Sequence, residues 1–169
     1  KRILEKKSEY ASQLESLYET KKTILTNAIL FSLSAAEMKS FSSGSNFAEV
    51  YPFIPYQFNL LQKVFDQIRN TGYTGKHLAH GERSMLSSFK EACDKKSESE
   101  TNILIPFYDF YDTIENFLDP SIKRTIDQAK DNTLLDAKDI SLLKVLFLIK
   151  HVKELKADIK NLTVLYFWF

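Results

Sequence analysis

A single cysteine in 169 residues excludes an internal disulfide and a cysteine-rich zinc site. That residue, Cys93, lies among apolar neighbours at helical spacing, where a buried and inert thiol is expected. Four glycines and four prolines leave few points at which a helix must stop. An excess of charge is also missing: 23 basic residues oppose 22 acidic ones, a net charge of +1. That balance excludes the strong basic surplus of a dedicated nucleic-acid binder, although a local basic face stays open. The longest apolar run, Leu142 to Ile149, is broken by Lys144 and falls far short of a membrane span. The N-terminus opens on Lys1, Arg2, Glu5, Lys6 and Lys7 with no apolar leader stretch, so a cytoplasmic chain without membrane contact is expected. With no starting methionine and an abrupt aromatic end at Tyr166 to Phe169, both ends are expected to be cut from a longer protein.

Bulky aromatics are what the chain has in quantity. Thirteen Phe and eight Tyr, within an apolar fraction of 44% and a charged fraction of 27%, supply core for one domain or for two small helical units. From Lys1 to about Leu33 there is neither Gly nor Pro. The stripe Ile3, Tyr10, Leu14, Leu17, Lys21, Ile24 and Ala28 predicts one long amphipathic helix with a charged, solvated outer face. Ser40 to Asn46 reads as a serine-rich loop. In Tyr51-Pro52-Phe53-Ile54-Pro55 the two prolines favour an extended entry, and Pro55 suits the first turn of a helix carrying Phe58, Leu61, Val64, Phe65 and Ile68.

Thr71 to Gly81 holds three of the four glycines with Lys76, His77 and His80 between them, and is the loop to search for function. A helix from Glu82 carries Met85, Leu86, Phe89, Ala92 and Cys93, followed by a polar connector. Tyr108 to Leu118 traces a further face, and Asp119-Pro120 reads as N-cap and first-turn proline of the next helix. Asp136 or Asp139 caps the last long helix, which Leu142, Leu143, Val145, Leu146, Leu148, Ile149 and Val152 make apolar nearly all round. The expected architecture is all-α, roughly six helices, divided as 1–46 (long helix and serine-rich loop), 47–93 (lid-like unit), 94–102 (connector) and 103–169 (second helical unit). The last unit is open to a winged-helix reading if Asp158 to Leu165 passes into a strand.

No complete catalytic pattern is present: there is no phosphate-loop signature, no dinucleotide glycine motif, no zinc-protease helix and no nucleophile elbow. Gly75-Lys76-His77 only partly matches the end of a phosphate loop, because the earlier glycine is misplaced and His77 replaces the Mg-binding hydroxyl; Lys76 and His77 are kept as weak nucleotide-binding candidates. His77, His80 and Glu82 are close in sequence, but loop histidines without cysteines are ordinarily hydrogen-bonding residues, and no metal site is assigned. Asp109, Asp112 and Glu115 at i, i+3 and i+6 could supply acid–base carboxylates, yet a solvated acidic edge beside an aromatic face explains the same spacing. No catalytic residue is assigned. Arg83, in the first turn of a helix behind a glycine-rich loop, suits a phosphate group, with a simple pairing to Glu82 or a neighbouring carboxylate as the alternative.

Three ordered segments, Tyr-Pro-Phe-Ile-Pro-Tyr-Gln-Phe from Tyr51, Gly-Lys-His-Leu-Ala-His-Gly-Glu-Arg-Ser-Met-Leu from Gly75 and Pro-Phe-Tyr-Asp-Phe-Tyr-Asp-Thr-Ile from Pro106, resemble the large P-loop ATPases of BREX phage-defence systems, the BrxC/PglY family. The resemblance extends through Leu118 to Ala129 and Leu143 to Lys156 and stops at the aromatic run from Leu165. It implies an internal piece of an AAA+-type ATPase of well over a thousand residues whose phosphate-binding core lies upstream, so that ATP and Mg belong to the parent and no cofactor to this segment. By the same similarity Arg83 is the candidate nucleotide sensor, and the partners are the rest of the parent, other BREX proteins and, indirectly, DNA, with room for an oligomer. An interaction scaffold for BREX proteins or DNA is the alternative role.

Overall fold

The computed structural model describes residues 4–32, 37–72, 81–96 and 104–166, with side chains in the fourth helix described from Ser84 onward. Among these residues the chain forms eight α-helices and no strand, as the all-α reading expects. They are α1 (Ser8–Ala28), α2 (Gly44–Val50), α3 (Pro55–Asn70), α4 (Gly81–Lys96), α5 (Tyr111–Glu115), α6 (Pro120–Lys130), α7 (Ala137–Ile149) and α8 (Ile159–Tyr166), with a 3₁₀ turn at Phe107–Phe110 leading into α5. Among the described residues no helix is long and apolar enough to cross a membrane.

Local capping chemistry explains four of the eight helix starts. Asp119 accepts a hydrogen bond from the Ser121 amide ahead of Pro120, and Asp136 accepts from Lys138 and Asp139 while Asp139 accepts from the Asp136 amide. The serine-rich stretch expected as loop also contains a cap: Ser43 Oγ accepts from the Asn46 amide at 3.0 Å and starts α2 at Gly44, inside that stretch. Serine is both a loop former and among the best of caps, so composition could not separate the two.

Two expectations are corrected by tertiary packing. The first helix is shorter than Lys1 to Leu33, because beyond Ala28 the chain turns to bury Ile29 and Phe31, the latter edge-on to Tyr56 with ring centroids 4.9 Å apart. Its buried line runs through Tyr18 and Leu25, with Leu14, Leu17 and Ala28 beside it, while Tyr10 and Ile24 of the expected stripe are exposed. At the other end Asp158 to Leu165 does not enter a strand: Asp158 accepts a hydrogen bond from the Asn161 amide at 2.8 Å and opens α8.

The core is an aromatic cluster locked by two buried amides. Phe53, Phe89 and Phe110 meet with centroid separations of 4.8, 5.3 and 6.0 Å, and Phe58 stacks on Phe89 at 4.7 Å. Gln57, fully buried, donates from Nε2 to the Ile105 carbonyl at 2.6 Å and accepts at Oε1 from the Ile54 amide at 3.1 Å. The Ile105 amide donates in turn to the Pro52 carbonyl at 3.0 Å, so the Tyr51–Pro55 segment and the entry to the 3₁₀ turn are joined twice. Asn161, also fully buried, accepts at Oδ1 from the Ser32 amide at 2.8 Å and donates from Nδ2 to the Lys156 carbonyl at 2.9 Å. It ties the tail of α1 to α8.

Gln57 satisfies backbone groups of two fully buried residues, Ile54 and Ile105, where each orphan costs about 1–3 kcal/mol. Gln57→Leu keeps the volume but strands the Ile105 carbonyl and the Ile54 amide; chemical denaturation is expected to show a loss of roughly 2–4 kcal/mol. The exposed neighbour Gln62→Leu should stay within about 0.5 kcal/mol of the parent.

Candidate functional site

Arg83 is the third residue of α4, so its backbone lies in the first helical turn, as the sequence reading required. Its side chain, and the whole of Lys76, His77 and His80, lie outside the described residues. What can be built from the residues upward is the mounting of α4. Its inward line is Ser84, Ser88, Phe89 and Ala92, with Met85 and Cys93 partly buried against the core. Three of these are small, so among the described side chains of α4 Phe89 is the one large residue buried in the aromatic cluster. Besides these apolar contacts, α4 has a polar attachment.

That polar attachment sits at the far end of the helix. α4 continues through Lys96 rather than yielding to a connector after Cys93, and Lys95 and Lys96 project from its last turn. Lysines at a helix C-terminus are favoured by the local dipole. Lys95 Nζ donates to one oxygen of Asp112 and Lys144 Nζ, from α7, to the other at 2.7 Å, so one carboxylate on α5 joins two further helices. Lys96 lies 3.5 Å from Asp109 Oδ2, Thr113 Oγ1 donates to Glu91 Oε2 at 2.7 Å, and Lys130 of α6 pairs with Glu115 at 3.2 Å. Lys144 also sits over the Tyr111 ring, 5.7 Å from its centroid.

The carboxylate triplet Asp109, Asp112 and Glu115 is therefore not a solvated edge, since each member holds a lysine from another element. Nor is it an acid–base pair poised for substrate, because these lysines occupy it. Burial alone would raise the Asp112 carboxyl, but the hydrogen bonds from Lys144 and Lys95 outweigh it and hold the group below the usual carboxylate range. Asp109 differs: burial pushes it up, and Lys96 and Lys95 only partly oppose that push. Burial also raises the half-buried Cys93 thiol, as expected of an inert cysteine.

The lysines of this cluster were not singled out from sequence. One signal was available: Lys144 interrupts the otherwise apolar run Leu142 to Ile149, and a lysine among buried residues requires a partner. His151 follows α7 in a turn, remote in sequence from His77 and His80. Among the described residues no group of three or more His, Cys, Asp or Glu side chains is placed to hold a metal ion.

The two aspartates give predictions of opposite sign. Asp112 has a depressed folded value, so its contribution is complete at neutral pH and is lost as pH falls through that value, below the usual carboxylate range. Asp112→Asn should lower stability at neutral pH by about 1 kcal/mol or less, since the group is 38% exposed, and the loss should shrink in high salt. Asp109 has a raised folded value, so its ionised form opposes folding as pH rises through that value. Asp109→Asn should raise stability at neutral pH, and denaturation at neutral and acid pH checks both signs.

No protein-family model and no solved structure matches the chain.

Proposed function

We propose that this chain is a non-catalytic helical module of a large AAA+-type ATPase of BREX phage defence, lying as a lid beside a nucleotide site carried elsewhere in the parent. The observation that supports it is the meeting of the three resembling segments. Phe53 comes from the Tyr-Pro-Phe-Ile-Pro segment, Phe89 from the helix that begins in the Gly-Lys-His-Leu-Ala-His-Gly-Glu-Arg segment, and Phe110 from the Pro-Phe-Tyr-Asp-Phe segment; the three rings pack together. Segments well separated in sequence that converge on one buried cluster behave as one unit, which is what a shared motif set requires.

In this reading Arg83 contacts the γ-phosphate, or the nucleotide of a neighbouring subunit, from the first turn of α4. A guanidinium there binds phosphate oxygens two at a time and offsets charge that develops during phosphoryl transfer. α4 then passes the signal along a rigid rod: movement at its N-terminus changes the load on Phe89 in the core and on the Lys95–Asp112–Lys144 bridge at its far end. ATP and Mg would be held by the parent's upstream core, with Lys76 and His77 as secondary candidates for phosphate contact.

A second role, a scaffold for other BREX proteins or DNA, rests on a different observation: Leu134 and Ile159 are 89% and 85% exposed. The two roles separate in one experiment on the intact parent. Arg83→Ala is expected to lower ATP hydrolysis by roughly ten-fold or more, as for removal of a transition-state donor, with Arg83→Lys recovering little because the bidentate geometry is lost. The melting temperature should stay within about 2 °C, since the sensor role puts the guanidinium on nucleotide and not in the core. Hydrolysis equal to that of the parent overturns the sensor role.

A further inference from the structure

Between α7 and α8 the chain sorts its charges. Lys150 to Lys160 holds four lysines, Lys150, Lys153, Lys156 and Lys160, against two carboxylates, Glu154 and Asp158. Ile149, Val152 and Leu155 are buried at every third position, and the amides of Val152 and Leu155 donate to the carbonyls three residues back at 2.9 and 3.1 Å. Turns that close over three residues bring like positions to one side. Lys150, Lys153 and Lys156, each directly after a buried residue, therefore share the outer side; all three are exposed, as is Lys160 in the first turn of α8.

The two carboxylates are engaged elsewhere. Glu154 accepts a hydrogen bond from Lys63 of α3 at 3.2 Å, and Asp158 accepts from the Asn161 amide at 2.8 Å as it opens α8. Among the described residues none of the four lysines stands within ion-pair distance of a carboxylate. The backbone beneath them is pinned, because fully buried Asn161 donates to the Lys156 carbonyl at 2.9 Å and Val152 and Leu155 join the core. In a chain whose net charge is only +1, this is a local basic face and not a general surplus.

Cations repeating along a pinned corner suit a partner whose negative charge also repeats along a line, which a nucleic-acid backbone supplies. The segment contains no Phe, Tyr or Trp on which an unpaired base could stack, so it fits a duplex better than a single strand. Ile159, 85% exposed, is its one large exposed apolar side chain, too little for a helix seated in a membrane surface. We infer that the Lys150–Lys160 corner is a contact surface for duplex nucleic acid, gripping phosphates without reading sequence. The inference rests on this corner alone and does not depend on the nucleotide-sensing role.

Fluorescence anisotropy of a labelled duplex of about 20 base pairs and arbitrary sequence, titrated with the full chain across a range of salt, reads the outcome. The expected dissociation constant is on the order of 10⁻⁴ M at physiological salt, and the logarithm of the binding constant should fall against that of salt with a slope of about −3. Lys153→Ala should reduce that slope by about 1. Changing Lys150, Lys153 and Lys156 together to Ala should weaken binding at least ten-fold, with circular dichroism unchanged because the three side chains are exposed. The same change of net charge made at the exposed Lys22, Lys39 and Lys90 should leave binding within about three-fold of the parent. Equal losses in the two triple variants overturn the inference, as does failure to bind the duplex. A preference for a single strand or for vesicles of anionic phospholipid overturns it as well.

Discussion

The side-chain amide of Gln57 is the constraint on which the rest of this bundle depends. It sits at the start of α3, fully buried, and it bonds Ile54 just before it and Ile105 on the far side of the α4 helix in sequence. Through that pair of bonds the Tyr51–Pro55 entry is held against the 3₁₀ turn, which places Phe53 over Phe110, and Phe89 packs edge-on against both. An apolar residue at the position would bury as much surface but satisfy neither backbone group. Asn161 repeats the device at the opposite end, where it joins Ser32 to α8.

With those two amides in place, α4 becomes a helix of mixed attachment. Its middle is anchored by Phe89 in the aromatic cluster, and its end by lysines on the carboxylates of α5 and the 3₁₀ turn. Asp112 is shared between α4 and α7, so a displacement of either helix is felt by the other through one side chain.

The sequence was most legible where a local rule and the tertiary demand agreed. Pro55, Asp119-Pro120 and Asp136 with Asp139 mark helix starts that the structure keeps, because capping needs only neighbouring residues. It was least legible where burial decided. Ile29 and Phe31 end α1 by turning into the core, and Tyr18 with Leu25, not Tyr10 with Ile24, faces inward. Of the site, Arg83 falls in the first turn of α4 as its spacing indicated, whereas the bridging lysines Lys95 and Lys144 were hidden, one in an apparent connector and one as an interruption of an apolar run. Gln57 carried no signal of its own, since a glutamine two residues after a helix-starting proline is ordinarily a surface residue.

Native-state hydrogen exchange at residue resolution tests the central role of Gln57 most directly. The Ile54 amide is bonded to its Oε1 and the Ile105 amide to the Pro52 carbonyl beside it. If this joint organises the fold, both amides exchange only on global unfolding, with the same free energy as the α3 core residues Leu61 and Val64. Exchange of Ile54 and Ile105 by an earlier local opening, while α3 stays protected, would contradict the account.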